Sequence, residues 1–307
     1  MVAPMISVVV PAYNAGAWIA ETLRSVLGQS REPDEVVVVE NGSTDGTLAE
    51  LKRFARRVRV VRMERRGAPA AYNRGFLEAA GDYVAMCPAD DIWRPRKLEW
   101  QVESIEQNPA IDVAFGHARH FGLDDSEYKR PRGVGLLDAG ELRKAMYAEC
   151  LIPAPTALIR RSLYERLGPF REDLPAEDYE FWMRALRARA TFFYDPRLLV
   201  DYRRHGNNIS SALLRMRRDL DYPVHVEYAG DVEPELAAEV LAGDLRQIGR
   251  YYFDAGRRRD AFAAYRGSLA HKLTAKGVAA TAALSLPGGS RALRLLEAVV
   301  RRPARPR

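Results

Sequence analysis

Four short runs rich in β-branched residues recur early in the chain, at residues 6–10, 35–40, 58–61 and 83–86. Apolar runs of this length are typical of parallel strands that are covered on both faces. Apolar residues at helical spacing lie between them, and Gly28 stands where the first helix would end. Because strands and helices alternate, the sequence predicts an α/β fold with a doubly wound, mainly parallel sheet flanked by helices.

Two adjacent carboxylates, Asp90 and Asp91, follow the fourth run after Pro88 has ended ladder pairing. Open α/β sheets bind ligands beyond the carboxyl ends of their strands. Oxygen ligands at that position suit Mg²⁺ or Mn²⁺ carrying phosphate groups. In a simpler interpretation, Asp90 caps a helix that begins near Trp93 and Asp91 is merely exposed. The pair alone leaves both interpretations open.

The composition favours an anionic partner without identifying it. Of 307 residues, 47% are apolar, which allows one large domain or a domain of usual size with a helical appendage. The net charge of +6 suits nucleotide diphosphates, anionic lipid or nucleic acid. The sequence contains no recognised nucleic-acid-binding motif, so we expect no nucleic-acid partner.

Cysteine usage and hydropathy favour the cytoplasm. Cys87 and Cys150 form neither a metal-binding motif nor a disulfide framework, as expected in a reducing compartment. Residues 1–7 lack the basic and apolar regions of a signal peptide, and the sequence has no run of the ~20 apolar residues that span a bilayer. We therefore expect a cytoplasmic protein, and peripheral contact with the inner face of the cell membrane stays open.

Six short motifs give the chain a family resemblance over residues 4–212. They are Pro11-Ala12-Tyr13-Asn14, Glu40-Asn41-Gly42-Ser43-Thr44-Asp45, Ala71-Tyr72-Asn73-Arg74-Gly75, Ala89-Asp90-Asp91-Ile92-Trp93, Ala176-Glu177-Asp178-Tyr179-Glu180-Phe181-Trp182-Met183-Arg184 and Tyr202-Arg203-Arg204-His205-Gly206-Asn207-Asn208-Ile209-Ser210. In this order they resemble the family-2 inverting glycosyltransferases, which have the nucleotide-sugar-binding fold called GT-A. The resemblance implies a catalytic domain at residues 1–212, with a nucleotide-binding half at about 1–115 and an acceptor half at 116–212.

The resemblance also implies which residues grip the donor. Those expected to bind its base and ribose are Pro11, Ala12, Tyr13, Glu40, Asn41 and Asn73. The chain has Glu40-Asn41 where the family usually has Asp-Asp, and Tyr72 where it often has Arg. An Asn oxygen can still accept a hydrogen bond from a ring N–H, so uridine, thymidine and guanosine donors stay open. Ser43 and Thr44 fit a simple turn equally well.

For the diphosphate, similarity assigns a Mg²⁺ or Mn²⁺ ion to Asp90 and Asp91, with His205 nearby. Asp91 is the expected direct ligand, and Pro88 replaces the first acid of the family's common Asp-x-Asp-Asp pattern. Residues 203–205 are expected to lie on a loop that closes over the donor. Arg203, Arg204 and His205 would then bring positive charge or hydrogen-bond donors to the leaving group.

Asp178 is the expected catalytic base. Inversion in one displacement requires a carboxylate to take the proton of the acceptor hydroxyl. Asp178 precedes a predicted helix over residues 179–188, and a helix N-terminus favours the ionised acid. Glu177 is expected to contact substrate from another direction, since only residues three or four apart share a helix face. Phe181, Trp182 and Leu186 are predicted to pack in the core.

The acceptor, a saccharide or a glycolipid, is less constrained. Residues 116–156 suggest an irregular rim with a short helix at 139–148, and residues 153–159 are expected to line the acceptor cleft. His117 and His120 fall on opposite faces of a strand, which argues against a shared metal ion.

The last third of the chain is predicted to be a helical extension at residues 213–307. Helices are expected at 213–222 and 234–245, and one tetratricopeptide-like helix pair at about 251–265. Residues 291–302 form a basic amphipathic pattern. Segment 274–307 could therefore contact an anionic membrane surface, form a homo-oligomer contact or be a solvated end.

The sequence thus predicts a metal-dependent inverting glycosyltransferase acting in cell-surface polysaccharide or glycoconjugate synthesis. It would move a sugar from a nucleoside diphosphate sugar to an acceptor hydroxyl. A nucleotidyltransferase is the first alternative, but it would need a basic, Gly-rich loop after the first strand, and residues 11–16 contain no basic residue. A non-catalytic interaction protein is the second, and the retained Asp90, Asp91, Asp178 and His205 count against it.

Overall fold

The computed structural model describes residues 3–123, 125–208 and 212–285. The chain divides into two compact units at residues 211 and 212. The predicted division between residues 115 and 116 falls inside a strand, Val113–Gly122. The predicted basic helix at 291–302 lies outside the described residues, as does the part of segment 274–307 that follows residue 285.

The first unit is a sheet with helices on both faces. Its strands are β1 (Ile6–Ala12), β2 (Glu35–Asn41), β3 (Arg59–Met63), β4 (Tyr83–Met86), β5 (Ile92–Trp93), β6 (Val113–Gly122), β7 (Gly135–Leu136), β8 (Leu158–Arg160) and β9 (Phe192–Arg204). Its helices are α1 (Ile19–Leu27), α2 (Thr47–Lys52), α3 (Ala68–Glu78), α4 (Lys97–Gln107), α5 (Ala139–Ala148), α6 (Arg161–Leu167) and α7 (Asp178–Arg187), with a 3₁₀ turn at Ala154–Thr156.

The strand order explains where ligands can collect. The order is β3-β2-β1-β4-β8-β6-β9-β5, and β7 also pairs with β9. Strands β1 to β4 are mutually parallel, and β8 runs antiparallel to both β4 and β6. Strands β6 and β9 therefore return to the direction of β1, so the carboxyl ends of six strands share one sheet edge. This arrangement confirms the predicted doubly wound, mainly parallel sheet.

Alternate residues of β1 supply the cores on the two faces of the sheet. Val8 and Val10 pack in the same cluster as Leu23 of α1 and Leu98 of α4. Val9 points the other way, toward Gly75 of α3. Both faces are covered, which is why the strand is apolar at every position rather than alternately polar.

The prediction of a helix that begins near Trp93 is wrong. Residues Ile92–Trp93 form a short strand instead, and Trp93 pairs with Val200 of β9. Helix α4 begins only at Lys97, after Pro95, which disfavours helical geometry in the residue before it. Asp90 therefore caps no helix, and the simpler interpretation of the Asp pair fails.

The acceptor half is more regular than expected. Strand β6 continues to Gly122 beside the 13-residue strand β9, so Arg203 and Arg204 lie in a strand rather than in a loop. The predicted helix at 139–148 is confirmed as α5, and the Asp138 side chain accepts a hydrogen bond from Glu141 N at 2.8 Å.

The second unit is helical in its described part. It contains α8 (Leu213–Met216), a π-helical turn (Arg217–Asp221), α9 (Tyr222–Tyr228), a 3₁₀ turn (Ala229–Asp231), α10 (Pro234–Asp254), α11 (Arg258–His271) and α12 (Ala275–Ser285). Phe253, Tyr265 and Ala280 share an apolar cluster that joins α10, α11 and α12. Among the residues described, no helix is long and apolar enough to cross a membrane.

Gly75 is expected to be essential for the contact between α3 and β1. A Cβ atom there would lie 2.1 Å from Val9 Cγ1, in a strand that is fully buried. Overpacking a core costs about 1–3 kcal/mol of stability, and so short a distance places Gly75→Ala at the upper end of this range. This cost exceeds the ~1 kcal/mol by which Ala stabilises a helix relative to Gly, so the variant should be less stable than the wild type. Urea unfolding should show the loss.

Gly46→Ala is the matched control. Gly46 precedes α2 with φ of −71°, and a Cβ atom there would meet nothing within 4 Å. It should unfold at the wild-type urea concentration. Equal midpoints for both variants would contradict the packing of α3 on β1 described above.

Candidate active site

Asp91 joins the segment after β4 to the end of β9. Its side chain is 1% exposed, and Oδ1 accepts a hydrogen bond from the Arg203 backbone N–H at 2.8 Å. Oδ2 is buried and has no hydrogen-bond partner in the described part of the chain. Burial, and then the charge of Asp90, raise the pKa of Asp91 well above its usual value. Asp91 is thus enclosed in surroundings that disfavour its ionised form.

Asp90 is the more accessible of the two acids. Its Oδ2 lies 2.9 Å from His205 Nε2 and 3.3 Å from Asn208 Nδ2. The Asn208 side chain in turn accepts a hydrogen bond from His205 N at 2.5 Å. The imidazole of His205 stacks on Trp18, with ring centroids 5.6 Å apart and planes at 19°. The carboxylate and the imidazole are therefore fixed side by side.

Arg203 does not have the expected role of a closing cation. Its Nε donates to the Asp90 backbone oxygen at 2.8 Å, and its terminal nitrogen donates to Glu21 at 2.5 Å. The guanidinium also lies 4.6 Å from the Trp18 ring centroid and 4.5 Å from that of Phe121. The charge of Arg203 is paired with Glu21, and its guanidinium packs against the rings of Trp18 and Phe121. Arg203 therefore cross-links the site instead of lying on a loop that closes over it.

Arg204 ends β9, and its carbonyl accepts a hydrogen bond from Leu123 N at 3.0 Å. Gly122 makes this approach possible, because a Cβ there would lie 2.6 Å from the Arg204 oxygen. Of the three residues expected on a closing loop, only His205 lies beyond the strand. The Ile209-Ser210 end of that motif lies outside the described residues.

Tyr13 offers an exposed aromatic face just beyond β1. Its side chain is 41% exposed, and the Arg65 guanidinium lies 3.5 Å from its ring centroid. Ala12 is fully buried opposite Glu40 in the sheet, and Pro11 is half-buried. Ala12 therefore presents no accessible surface to a ligand in this structure.

Glu40 and Asn41 hold loops together. Glu40 is 1% exposed and accepts a hydrogen bond from Ser43 N at 2.5 Å. Asn41 is 2% exposed, and its amide donates to Gly67 O at 2.9 Å and accepts from Arg66 N at 3.0 Å. The expected recognition of a base by the Asn41 oxygen is not what this geometry provides. The amide fixes the backbone beside Arg65 instead.

The turn role left open for Ser43 and Thr44 agrees with the structure. Ser43 Oγ accepts a hydrogen bond from Asn14 N at 3.1 Å, and the Asn14 side chain accepts one from Thr44 N at 2.9 Å. These bonds tie the loops after β1 and β2 to each other.

Asn73 is also a structural residue, contrary to expectation. Its Nδ2 donates to Phe170 O at 2.9 Å and to Glu172 Oε1 at 3.2 Å. Its Oδ1 accepts from Phe170 N at 2.8 Å and from the Tyr164 hydroxyl at 2.9 Å. A side-chain amide has two donors and two acceptor positions, so all four are used. Asn73 ties α3 to the segment after α6, and its side-chain amide has no unused donor or acceptor for a nucleotide.

The segment expected to line the acceptor cleft, residues 153–159, is buried throughout. It leads into β8, which is inserted between β4 and β6. The Thr156 carbonyl, for example, accepts a hydrogen bond from Gln101 in the interior. The segment supports the cleft rather than facing it.

Glu177 and Asp178 begin α7 in different environments. Glu177 is 9% exposed, and burial, followed by the charge of Asp178, raises its pKa from 4.5 to about 8. Asp178 is half-exposed, and its Oδ1 accepts a hydrogen bond from Tyr179 N at 2.9 Å. Near neutral pH Glu177 therefore favours its protonated form. Phe181, Trp182 and Leu186 are buried as predicted.

Two tyrosines connect this helix start with the sheet edge. The Tyr72 hydroxyl is buried without a hydrogen-bond partner among the described residues. Burial raises its pKa well above the usual value, and the charges of Glu177, Cys87, Asp91 and Asp90 add to the effect. Acids from α7 and from the loop after β4 therefore surround one phenol.

Tyr128, like Tyr72, has a phenol whose pKa is raised by burial and by nearby acids. Burial raises the pKa of its phenol well above the usual value, and the charges of Tyr202, Cys150, Asp178 and Asp91 add to it. Part of the side chain nevertheless remains open to solvent. Asp178 and Asp91 therefore both influence the phenol of Tyr128. No motif singled out Tyr128, Trp18 or Arg65. Only the basic composition of residues 65–66 after a strand end could have pointed to Arg65.

Comparison with known proteins identifies the family. Residues 7–168, more than half of the chain, match the family model described as Glycosyl transferase family 2. The chain belongs to this family. An uncharacterized glycosyltransferase of Haemophilus influenzae is 32% identical over 227 residues, which are 68% of this chain and 68% of that protein. The putative teichuronic acid biosynthesis glycosyltransferase TuaG of Bacillus subtilis is 32% identical over 68% of this chain and 82% of its own.

Solved structures agree on the fold. Staphylococcus aureus TarS residues 1–349, in complex with UDP-GlcNAc, superpose with a TM-score of 0.67 at 20% identity, over 97% of this chain and 91% of that one. The mannosyltransferase PcManGT of Pyrobaculum calidifontis, in complex with GDP-Man and Mn²⁺, gives 0.60 at 24% identity, over 97% and 85%. The protein is therefore a glycosyltransferase with a GT-A fold, and neither alternative function is supported.

The protonation of Glu177 gives a pH-dependent stability. Between about pH 5 and 8 the unfolded chain has lost this proton while the folded chain keeps it, so the folded state binds more protons. The free energy of unfolding of the wild type should therefore fall, relative to Glu177→Gln, as the pH rises through this window. Urea titrations at several pH values measure it.

Glu165→Gln, an exposed substitution on α6, is the control and should follow the wild type. A constant difference between the wild type and Glu177→Gln from pH 5 to pH 8 would mean that Glu177 is ionised in the folded protein.

Proposed function

We propose that the protein transfers a sugar, with inversion at the anomeric carbon, from a nucleoside diphosphate sugar to a hydroxyl of a saccharide or glycolipid, with the help of Mg²⁺ or Mn²⁺. One observation carries the proposal. Asp178 from α7 and Asp91 from the sheet edge both contribute to the raised pKa of the Tyr128 phenol, while Glu177, Asp91 and Asp90 contribute to that of Tyr72. Acids separated by almost 90 positions in the sequence thus border one crevice, as a donor and an acceptor held together would require.

The exposed ring of Tyr13 is the proposed platform for the nucleobase. A base can stack on an aromatic ring whatever its identity, and Arg65 lies within 3.5 Å of the same ring. TarS is described with UDP-GlcNAc and PcManGT with GDP-Man, which supports a nucleotide-sugar donor and leaves the base open. Because the amides of Asn41 and Asn73 are used within the protein, the proposal assigns donor recognition to Tyr13 and Arg65 instead.

Asp90 and His205 are the proposed protein ligands of the divalent ion. A carboxylate and an imidazole that lie 2.9 Å apart fit Mn²⁺ or Mg²⁺ chemically. The described residues contain no group of three or more candidate metal ligands, so diphosphate oxygens and water would complete the coordination. When bound, the ion would neutralise charge on the leaving diphosphate. Asp91, which is enclosed and hydrogen-bonded, supports the site from behind.

Asp178 is the proposed base. As the acceptor oxygen attacks the anomeric carbon, the bond from that carbon to the diphosphate breaks on the opposite side, and the acceptor proton passes to the Asp178 carboxylate. Two features favour its ionised form: the N-terminus of α7 and the proton kept by Glu177. The name of the relative TuaG supports a role in cell-surface polysaccharide synthesis.

Asp178→Asn separates binding from chemistry. An amide cannot take the acceptor proton, so transfer should fall by about 10²- to 10⁴-fold, while the dissociation constant for the donor stays near the wild-type value. A panel of nucleotide sugars with Mn²⁺, followed by nucleotide release and calorimetry, provides both measurements.

Glu177→Gln, which imitates the protonated neighbour, should keep most of the activity and is the matched control. If Asp178→Asn turned over at the wild-type rate, Asp178 would not be the catalytic base. Failure of every nucleotide sugar to bind the wild type would remove the proposed function.

The two acids of the pair should differ in metal binding. Asp90→Asn should weaken Mn²⁺ binding in the presence of nucleoside diphosphate by at least the 10- to 100-fold typical of changes that only disturb a supporting residue. Asp91→Asn should lose less, because an amide oxygen can still accept the Arg203 N–H. Electron paramagnetic resonance of free Mn²⁺ measures both. A larger loss in Asp91→Asn would restore the sequence-based expectation that Asp91 is the direct ligand.

A further inference from the structure

Three aromatic side chains cluster beside the crevice, and the proposed mechanism uses none of them. The rings of His120, Tyr128 and Tyr202, here called the aromatic trio, have centroids 4.9, 5.3 and 5.9 Å apart. All three pairs meet edge to face, with planes at 63° to 67°. Each side chain keeps part of its surface exposed. The trio is therefore a half-buried aromatic wall, and Tyr128 within it also packs against the core.

The backbone holds this wall at the ligand-binding edge of the sheet. His120 and Tyr202 are register partners near the carboxyl ends of β6 and β9. Tyr202 directly precedes Arg203, whose N–H binds Asp91. The Tyr128 backbone is fixed alongside β6, because its N–H donates to Ala118 O at 3.3 Å.

Tyr202 and Arg203 point to opposite sides of their strand. Arg203 contacts Trp18 and Glu21, on the side of α1. Tyr202 therefore faces away from α1. Tyr128, which packs on Tyr202, is the phenol on which the charges of both Asp178 and Asp91 act. The trio thus lies near the carboxyl ends of β6 and β9, next to the residue whose N–H binds Asp91, and Asp178 contributes to the raised pKa of Tyr128.

Unsatisfied polar atoms occur in the same region. The Tyr72 hydroxyl and Asp91 Oδ2 are both buried without a hydrogen-bond partner among the residues described. Leaving a buried polar group unpaired costs about 1–3 kcal/mol, and such groups call for an explanation such as a missing ligand.

The local charge decides which ligand fits. A phosphate placed beside the carboxylate of Asp178, the proposed base, would meet repulsion. A neutral sugar meets none. Its C–H faces can pack against aromatic rings, and its hydroxyls can pair with phenols and carboxylates.

We propose that the aromatic trio is the subsite for the acceptor saccharide, and that Tyr128 seats the acceptor ring so that its nucleophilic hydroxyl meets Asp178. The proposal rests on the proposed glycosyl transfer. It assigns the acceptor side of the crevice to a neutral sugar ring rather than to the phosphate or lipid portion of a glycolipid.

The test uses the full chain, the nucleotide sugar found active in the donor panel, and a series of p-nitrophenyl glycosides of neutral hexoses as acceptor probes. Tyr128→Ala should raise the KM for the acceptor by about tenfold, the loss expected for one stacked ring, and should leave the dissociation constant for the donor unchanged. Tyr128→Phe keeps the ring and should remain within about threefold of the wild type.

Tyr251→Ala, a half-exposed tyrosine of the second unit, is the matched control and should keep wild-type KM and kcat. Tyr202→Leu, which keeps most of the side-chain volume, is the second variant if Tyr128→Ala does not fold, and thermal melting checks both. An unchanged acceptor KM in the folded variant would overturn the proposal while leaving glycosyl transfer intact.

The proposed acceptor subsite is also overturned, with glycosyl transfer left intact, if nucleotide is released to water but no glycoside of the series binds the wild type in saturation-transfer NMR. If the wild type releases nucleotide from no donor at all, the proposed function fails first and the acceptor subsite with it.

Discussion

The hydrogen bond from Arg203 N–H to Asp91 Oδ1 holds the site together, because it joins segments that are 112 residues apart. A carboxyl in a 1% exposed position is costly to ionise, and its pKa is raised accordingly. Oδ1 can accept the backbone N–H whether or not the carboxyl is ionised, so the bond does not depend on a buried charge. Since Asp91 is turned inward, its neighbour Asp90 is turned outward and meets His205. The accessible acid thus depends on the enclosed one.

Elements that are determined by local pattern were predictable from the sequence. Strand β4 and helix α5 have the predicted bounds, because an apolar run between breakers and a capped amphipathic segment determine them locally. The errors all concern partners that are distant in sequence. Ile92–Trp93 became a strand because β9 pairs with it, and Asn73 became structural because Phe170 and Tyr164 use its amide. The periodicity of apolar residues in the sequence does not indicate such distant partners.

Much of the arginine content that suggested an anionic partner stabilises the fold. Arg184 donates to the carbonyls of Leu167 and Pro169 and pairs with the buried Glu180. Arg203 pairs with Glu21 and lies between two aromatic rings. The planar guanidinium can satisfy several carbonyls and carboxylates at once, which Lys cannot. Net charge therefore overstated the charge available to a ligand, and Arg65 over Tyr13 is a better guide to the donor than the total of +6.

The two sides of the crevice differ in charge, which suits a reaction between a charged donor and a neutral acceptor. Arg65 and His205 lie at the ends of the strands where a diphosphate would bind, and they tolerate or attract negative charge. Glu177 and Asp178 lie across from them with Tyr72 and Tyr128, where negative charge is disfavoured. Because Glu177 holds its proton, this side carries one exposed carboxylate rather than two. Under the proposed function, this charge distribution would orient the donor before any sugar is recognised, and Asp178, the proposed base, would be the carboxylate that an approaching hydroxyl meets.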